Sequence, residues 1–139
     1  MAAPKRALAF RVAPVTVERL RHRARETGET QTALVERYLE EGLRTDGHPL
    51  IYFREGAAGR RPAVVGTRLD VWQVIDTIRQ DDGSVEQAAG YLGIPVEKVR
   101  ACIRYYADHQ EEIDAWAERA KSISEREEAN WRRQQELLA

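Results

Sequence analysis

Residues 7–43, ALAFRVAPVTVERLRHRARETGETQTALVERYLEEGL, decide the fold of the N-terminal part of this 139-residue chain. Leu8, Phe10 and Val12 alternate with alanine or arginine, which is the period-two pattern of a short half-buried strand. Pro14 suits the first turn of a helix, and a Thr-Gly pair further on suits its end. The stretch therefore predicts one strand followed by two helices. The second helix has an apolar face made of Leu34, Val35, Tyr38, Leu39 and Leu43.

One strand and two helices are too small a unit to stand alone. About 40 residues cannot bury a sufficient core, and a lone strand leaves the backbone groups on both its edges unpaired. Both problems are solved if two copies pair their strands antiparallel in a twofold dimer. Leu8, Phe10 and Val12 are then the dimerisation residues, while Ala7, Ala9 and Arg11 face outward. A two-stranded ribbon of this kind fits the major groove of DNA.

The charge is distributed unevenly along the chain, although the net charge is only −1. Residues 1–25 carry seven basic groups against one acid, whereas residues 108–139 carry nine acids against five basic groups. A basic N-terminal part predicts binding to a polyanion, and an acidic tail predicts some other partner. An Arg-rich solvated helix face is the alternative explanation of the charge alone.

The Leu-x-Phe-x-Val strand and the Thr-Gly-Glu-Thr-Gln-Thr turn resemble those of the ribbon-helix-helix (VapB/CopG-like) repressors and antitoxins. In that family the outward strand residues read bases, and the first backbone N–H groups of the second helix hold a phosphate. This chain departs from the family in having alanine at two of the three outward positions, so Arg11 is the one strong base reader. A dimerisation ribbon without a DNA role is the alternative. The resemblance implies a set of DNA-binding residues, namely Lys5, Arg6, Ala9, Arg11, Thr30, Gln31 and Thr32.

Residues 46–107 predict a short hairpin followed by three helices. Residues 50–53 and 63–65 are the strands, joined by a glycine-containing turn. Arg60 and Arg61 on this hairpin are expected to be solvated, and contact with a phosphate is the alternative. Capping boxes are indicated by Asp70 with Gln73 and by Ser84 with Gln87, and a proline at position 95 starts the last helix. The inner faces are expected to be formed by Val71, Val74, Ile75 and Ile78, by Ala88, Ala89 and Leu92, and by Val96, Val99 and Ile103.

The last two of these helices have the spacing of a helix-turn-helix. Ala89, Gly93 and Val99 provide the small residue, the glycine and the apolar residue that its tight turn requires. If the last helix recognises DNA, its outward basic groups are Lys98, Arg100 and Arg104.

Residues 62–107 also resemble a family of small domains that begin with a Gly-Thr-Arg-x-x-Val segment, which is present here at positions 66–71. In prokaryotic operons that family usually accompanies a PIN-like ribonuclease and is taken to be its antitoxin. The resemblance therefore implies a protein partner and supplies no catalytic residues. The alternative for Gly66-Thr67-Arg68 is a turn between strand and helix.

The tail, residues 108–139, predicts one long charged helix because it contains neither glycine nor proline. Ile113, Trp116, Ala120 and Ile123 recur at helical spacing, and Trp131 lies on nearly the same stripe. Packing on residues 71–106 explains Trp116 well and Trp131 poorly. We expect aromatic anchors in a partner's groove, with arginines reaching an acidic nuclease site as in similar VapB-type antitoxins. The expected toxin-binding residues are Trp116, Ile123, Arg126, Trp131, Arg132 and Arg133.

Other classes of function find little support in the composition. The single cysteine, Cys102, and the three scattered histidines indicate no disulfide framework, metal site, cofactor or catalytic constellation. No apolar run approaches the roughly 20 residues of a transmembrane helix, so a soluble cytoplasmic protein that is not an enzyme is expected.

The sequence thus predicts a mainly α protein with three parts. Residues 1–45 form a ribbon-helix-helix module that dimerises and binds operator DNA, residues 46–107 form a hairpin with a helix-turn-helix-like domain, and residues 108–139 form a toxin-binding helix. The predicted function is that of a type II antitoxin that silences a PIN-like ribonuclease and represses its own operon. The alternative is a stand-alone transcriptional regulator that uses both the ribbon and the helix-turn-helix on DNA.

Overall fold

A computed structural model describes residues 3–139, and these contain six helices and one two-stranded antiparallel sheet. The mainly helical fold class and the short hairpin are confirmed. The chain divides into two compact units, the first ending at Gly42 and the second comprising Leu43–Ala139. None of the described helices is long and apolar enough to cross a membrane. The elements are α1 Pro14–Thr27, α2 Gln31–Gly47, β1 Ile51–Arg54, β2 Arg61–Val64, α3 Val71–Gln80, α4 Val85–Leu92, α5 Val96–Asp108 and α6 Gln110–Leu138.

The first unit forms its two helices at the predicted signals. Helix α1 begins at Pro14 and ends at Gly28, which has a φ of 74° and donates its N–H to the carbonyl of Ala24 at 2.9 Å. The Thr30 hydroxyl accepts the N–H of Ala33 at 3.1 Å and so caps α2. Residues 3–13 form no strand within the single chain. The predicted ribbon needs a second copy to supply its partner strand, so it stays a prediction.

The second unit begins with the hairpin, whose antiparallel register places Ile51 opposite Val64 and Arg54 opposite Arg61. The chain leaves β2 through Gly66, which has a φ of 75°. The Thr67 hydroxyl then donates to the carbonyl of Val64 at 2.9 Å and accepts the N–H of Leu69 at 3.0 Å. The Gly-Thr-Arg segment is therefore a turn between a strand and a helix.

Three helices joined by short turns follow the hairpin. The capping box of Asp70 and Gln73 opens α3, and the hydroxyl of Ser84 accepts the N–H of Gln87 at 3.2 Å to cap α4. Gly93 ends α4 with a φ of 69°. These local predictions are confirmed because each depends on residues close together in the sequence. The core that the helices form with the hairpin and α6 includes Ile51, Val64, Val71, Val74, Val99, Cys102, Tyr105 and Ile113.

Two predictions for this unit are wrong. Ile103 was expected to face the core but is 37% exposed, because α5 turns Cys102 and Tyr105 inward instead. Arg61 was expected to be solvated, yet its Nε donates to the buried carboxylate of Asp70 at 2.6 Å. Arg54 shares that carboxylate, its Nε lying 2.9 Å from Oδ1, and Trp72 donates its indole N–H to Oδ2 at 3.1 Å. Asp70 thus ties both strands to the start of α3.

The corner between α5 and α6 contains a cluster of rings and charges. The ring centroids of Tyr105 and His109 are 4.5 Å apart. Arg44 donates to the Tyr105 hydroxyl at 3.0 Å and forms an ion pair with Glu112. Burial, together with the positive charge of Arg44, lowers the pKa of His109.

The lowered pKa of His109 predicts a loss of stability in mild acid. The unfolded chain takes up the proton more readily than the folded chain, so this contribution to stability is complete above pH 6.5, the ordinary pKa. It is lost as the pH falls from there towards the folded-state pKa. We expect a His109→Gln variant to lose less stability than the native protein on acidification, measured by urea unfolding at several pH values with tryptophan fluorescence. An unchanged pH dependence in the His109→Gln variant would contradict the assignment.

Candidate functional site

The first candidate surface is the N-terminal segment, residues 3–13, together with α1 and α2. Leu8, Phe10 and Val12, the predicted dimerisation residues, are 74%, 57% and 46% exposed in the single chain. Among the described residues of the first unit, the buried hydrophobic side chains are Ala24 and Leu34. This unit therefore buries very little apolar area by itself, as its size predicts.

The apolar side chains that α1 and α2 leave uncovered surround a groove of about 550 Å³. Phe10 and Val12 line it from the segment, Leu20 from α1, and Val35 and Leu39 from α2. Tyr38 and Leu39 were expected on the inner face of α2 and are 45% and 43% exposed. An exposed apolar groove of this size is a candidate binding surface.

The predicted DNA-binding side chains lie on the outside of this unit. Arg6, Ala9 and Arg11 are exposed. Lys5 is also exposed but pairs with Glu36 at 3.0 Å. Such an exposed pair contributes at most about 1 kcal/mol, so Lys5 can exchange Glu36 for a phosphate at little cost.

The start of α2 is where the sequence predicts a bound phosphate. Thr30 caps the helix, and Gln31 and Thr32, its first two residues, are exposed. The first N–H groups of a helix have no partner within the helix, and the helix dipole adds positive potential there. The three residues predicted to hold a phosphate thus stand at one helix end.

The outward basic groups of α5 are only partly available. The Lys98 ammonium donates to the carbonyl of Val65 at 2.9 Å, and Arg100 lies 3.7 Å from Glu86. Arg104 is exposed. Two of the three groups that a recognition helix would use therefore already have partners inside the second unit.

The first part of the tail packs on its own unit. Ile113 is buried, and Trp116 is half-buried against the hairpin turn, with the Arg119 guanidinium carbon 4.5 Å from the indole centroid. Arg119 also donates to the carbonyl of Ala58 at 3.1 Å. Packing therefore accounts for Trp116, which was predicted to be a toxin-binding residue.

The distal tail, residues 121–138, is exposed throughout. Ile123, Trp131 and Leu138 are 43%, 59% and 77% exposed and share one side of the helix by their spacing. Arg126 is exposed, Arg132 pairs with Glu128 at 2.6 Å, and Arg133 donates to the Asn130 side chain. Trp131 and Leu138 are the most exposed members of this apolar stripe, which is therefore a candidate surface for a partner.

Reactive groups are scarce in the described part of the chain. Burial raises the pKa of the Cys102 thiol to about 12, which keeps it protonated and unreactive at neutral pH. Residues 3–139 contain no group of three or more His, Cys, Asp or Glu side chains that could hold a metal ion.

Comparison with known proteins finds one family that part of the chain matches. Residues 51–106, which span the hairpin and extend into α5, match the family described as "Protein of unknown function (DUF433)". No curated protein and no solved structure matches the chain. The match includes the Gly-Thr-Arg segment, and the family description assigns no function.

Sequence reasoning missed Arg119 and the partners of Asp70. Arg119 lies three residues after Trp116, a spacing that puts both on one helix face, and this was the available signal. The hairpin register places Arg54 and Arg61 opposite each other, so both can donate to the carboxylate of Asp70.

Proposed function

We propose that this protein is the antitoxin of a type II toxin–antitoxin system. In this proposal two copies of residues 1–45 form a ribbon-helix-helix dimer that represses the operon. The distal tail binds and silences a PIN-like ribonuclease. The observation that carries the proposal is the pair of uncovered apolar surfaces at opposite ends of the sequence, one beside basic side chains and one on a charged helix.

The DNA half of the proposal is supported by charge and exposure. The groove lined by Phe10 and Val12 gives a second copy an apolar surface to cover. Pairing the two N-terminal segments would turn Ala9 and Arg11 outward together. The N-terminal ends of both α2 helices would then supply N–H groups for flanking phosphates.

The toxin half is supported by the distal tail. Tryptophan is enriched among the residues that dominate binding energy at interfaces, and Trp131 is 59% exposed with no packing role in its own unit. In the same proposal α4 and α5 form a helix-turn-helix-like module. This module acts as a scaffold that carries the tail.

The stand-alone regulator, in which α5 also reads DNA, is the less favoured candidate. Lys98 and Arg100 would have to leave Val65 and Glu86 to reach DNA. An Arg104→Gln variant with unchanged DNA affinity would agree with the antitoxin proposal.

Replacing Trp131 by alanine is expected to weaken capture of the ribonuclease by about 2 kcal/mol or more, roughly thirtyfold, because it removes an aromatic anchor. DNA affinity should not change, because residues 1–45 are untouched. The measurement is the amount of ribonuclease that copurifies with the tagged protein from cells of its own organism.

Tyr91→Ala is the matched control, since Tyr91 is an 81% exposed aromatic side chain on α4. It should leave ribonuclease capture at the native level. Equal capture by the native protein and the Trp131→Ala variant would contradict the assigned role of the distal tail.

A further inference from the structure

A small pocket in the second unit contains basic side chains that have no role in the function proposed above. It measures about 190 Å³ and lies where the hairpin turn meets the start of α3 and the middle of α6. The aromatic-basic pocket, as we name it, is lined chiefly by Trp72, Trp116, Arg61, Arg119, Asp70 and Ile123.

Arg119 is held in place while most of its donors remain available. Its guanidinium lies over the ring of Trp116 and donates one bond to the carbonyl of Ala58. Within residues 3–139 no carboxylate lies at ion-pair distance from Arg119. A guanidinium that is positioned and has no acidic partner is suited to an incoming oxyanion.

Arg61 adds a second positive charge. Its Nε is bound to Asp70, and its terminal nitrogens lie over the backbone of Gly56, where a Cβ atom would come within 2.0 Å of Nη1. Arg54 shares the same carboxylate. The charged side chains that line the pocket are therefore two guanidinium groups, Arg61 and Arg119, and one carboxylate, Asp70, so the lining keeps an excess of positive charge.

The aromatic lining and the volume of the pocket indicate what kind of group could accompany an oxyanion there. The side chains of Trp72 and Trp116 line it, and indole faces stack on flat apolar groups. Its volume is below the roughly 300 Å³ at which sites for drug-sized ligands begin, so it admits one ring rather than a nucleotide.

We propose that the aromatic-basic pocket binds a small aromatic monocarboxylate. The carboxylate lies against the Arg119 and Arg61 guanidinium groups, and the ring lies against the Trp72 and Trp116 side chains that line the pocket. This proposal is independent of the antitoxin function, because it concerns the free protein and needs neither toxin nor DNA.

The test is a titration of the full-length, ¹⁵N-labelled protein with sodium benzoate, followed through the indole N–H signals of the three tryptophans. We expect saturable shifts of the Trp72 and Trp116 signals with a Kd of about 1 mM, as for a ligand of few atoms. Trp131, in the distal tail, is an internal control and should not shift.

Benzamide and inorganic phosphate separate the contributions of ring and charge. Benzamide has the ring without the charge, phosphate has charge without the ring, and both should shift the two signals much less than benzoate. Phosphate or benzamide binding as tightly as benzoate would overturn the proposal, as would the absence of saturable benzoate shifts.

Variants then locate the site. Arg119→Gln should weaken benzoate binding about three- to tenfold, because it removes one partly solvated charge. Arg119→Lys should have an intermediate effect, since it keeps the charge and loses the fork. Arg104→Gln, the matched control on α5, should bind benzoate as the native protein does. An unaltered Trp72 signal in each free variant shows that it is folded, and equal affinity in the Arg119→Gln variant would overturn the assignment.

Discussion

A Phe10→Asp variant is expected to be monomeric and to lose binding to the DNA upstream of its own gene. In the proposed ribbon the twofold axis places two copies of this side chain in the buried interface. An unpaired buried carboxylate costs about 3–5 kcal/mol, so dimerisation should weaken by at least about a thousandfold. Sedimentation equilibrium measures the dimer, and a gel-shift assay measures the DNA complex.

Arg11→Ala is the matched control for this change, because the proposed ribbon has Arg11 on the same segment but on its outward face. It should leave the dimer intact and weaken DNA binding by about 1–3 kcal/mol for each half-site, the contribution of one arginine–guanine contact. A Phe10→Asp protein that still dimerises like the native chain would contradict the ribbon.

An Asp70→Asn variant is expected to show the largest loss of stability in the second unit, about 2–4 kcal/mol. Asp70 is 4% exposed, and its carboxylate binds Arg54 from β1, Arg61 from β2 and the indole of Trp72. Removing one partner of a buried ion pair costs about 3–5 kcal/mol, and we take a lower range because the Arg54 and Arg61 side chains are 27% and 22% exposed. Urea unfolding followed by tryptophan fluorescence measures the change.

Asp76→Asn on the same helix is the control. Asp76 is half-buried and accepts one long hydrogen bond, 3.5 Å from the Gln80 amide, so its loss should cost less than about 0.5 kcal/mol. Equal unfolding free energies for the Asp70→Asn and Asp76→Asn variants would show that Asp70 does not join the hairpin to α3.

The parts of the fold that the sequence could predict are those determined by residues close together in the sequence. Pro14, Gly28, Ser84 and Gly93 act through backbone geometry within one turn of the chain, and each begins or ends a helix as predicted. The hairpin was recognisable for the same reason, with strand ends within one or two residues of those observed.

The parts that could not be predicted depend on contacts between distant residues. The turn sequence alone predicts a solvated Arg61. Only the strand register and the position of Asp70 show that Arg61 is half-buried and bound to that carboxylate. The side of α5 that faces the core depends on where α3 and α6 pack, which is why Cys102 and Tyr105 are buried in place of Ile103.

The candidate binding residues also divide into those that the sequence could predict and those that it could not. Arg11, Thr30 and Trp131 are exposed in the single chain. The molecules proposed to bind them, DNA and a ribonuclease, are not part of that chain. Trp116 lies on the same tail stripe as Trp131 in the sequence, yet the hairpin turn covers it in part. Helical periodicity alone cannot distinguish these two tryptophans, because it does not show where the supporting domain ends.

The most direct test of the antitoxin proposal is to isolate the tagged full-length protein from cells of its own organism and identify what copurifies. Mass spectrometry identifies bound protein, and sequencing identifies bound DNA. We predict a small ribonuclease with a carboxylate-lined active site in stoichiometric amount, together with DNA from upstream of the protein's own gene. DNA without any protein partner would contradict the toxin-binding role of the tail and would favour a stand-alone regulator.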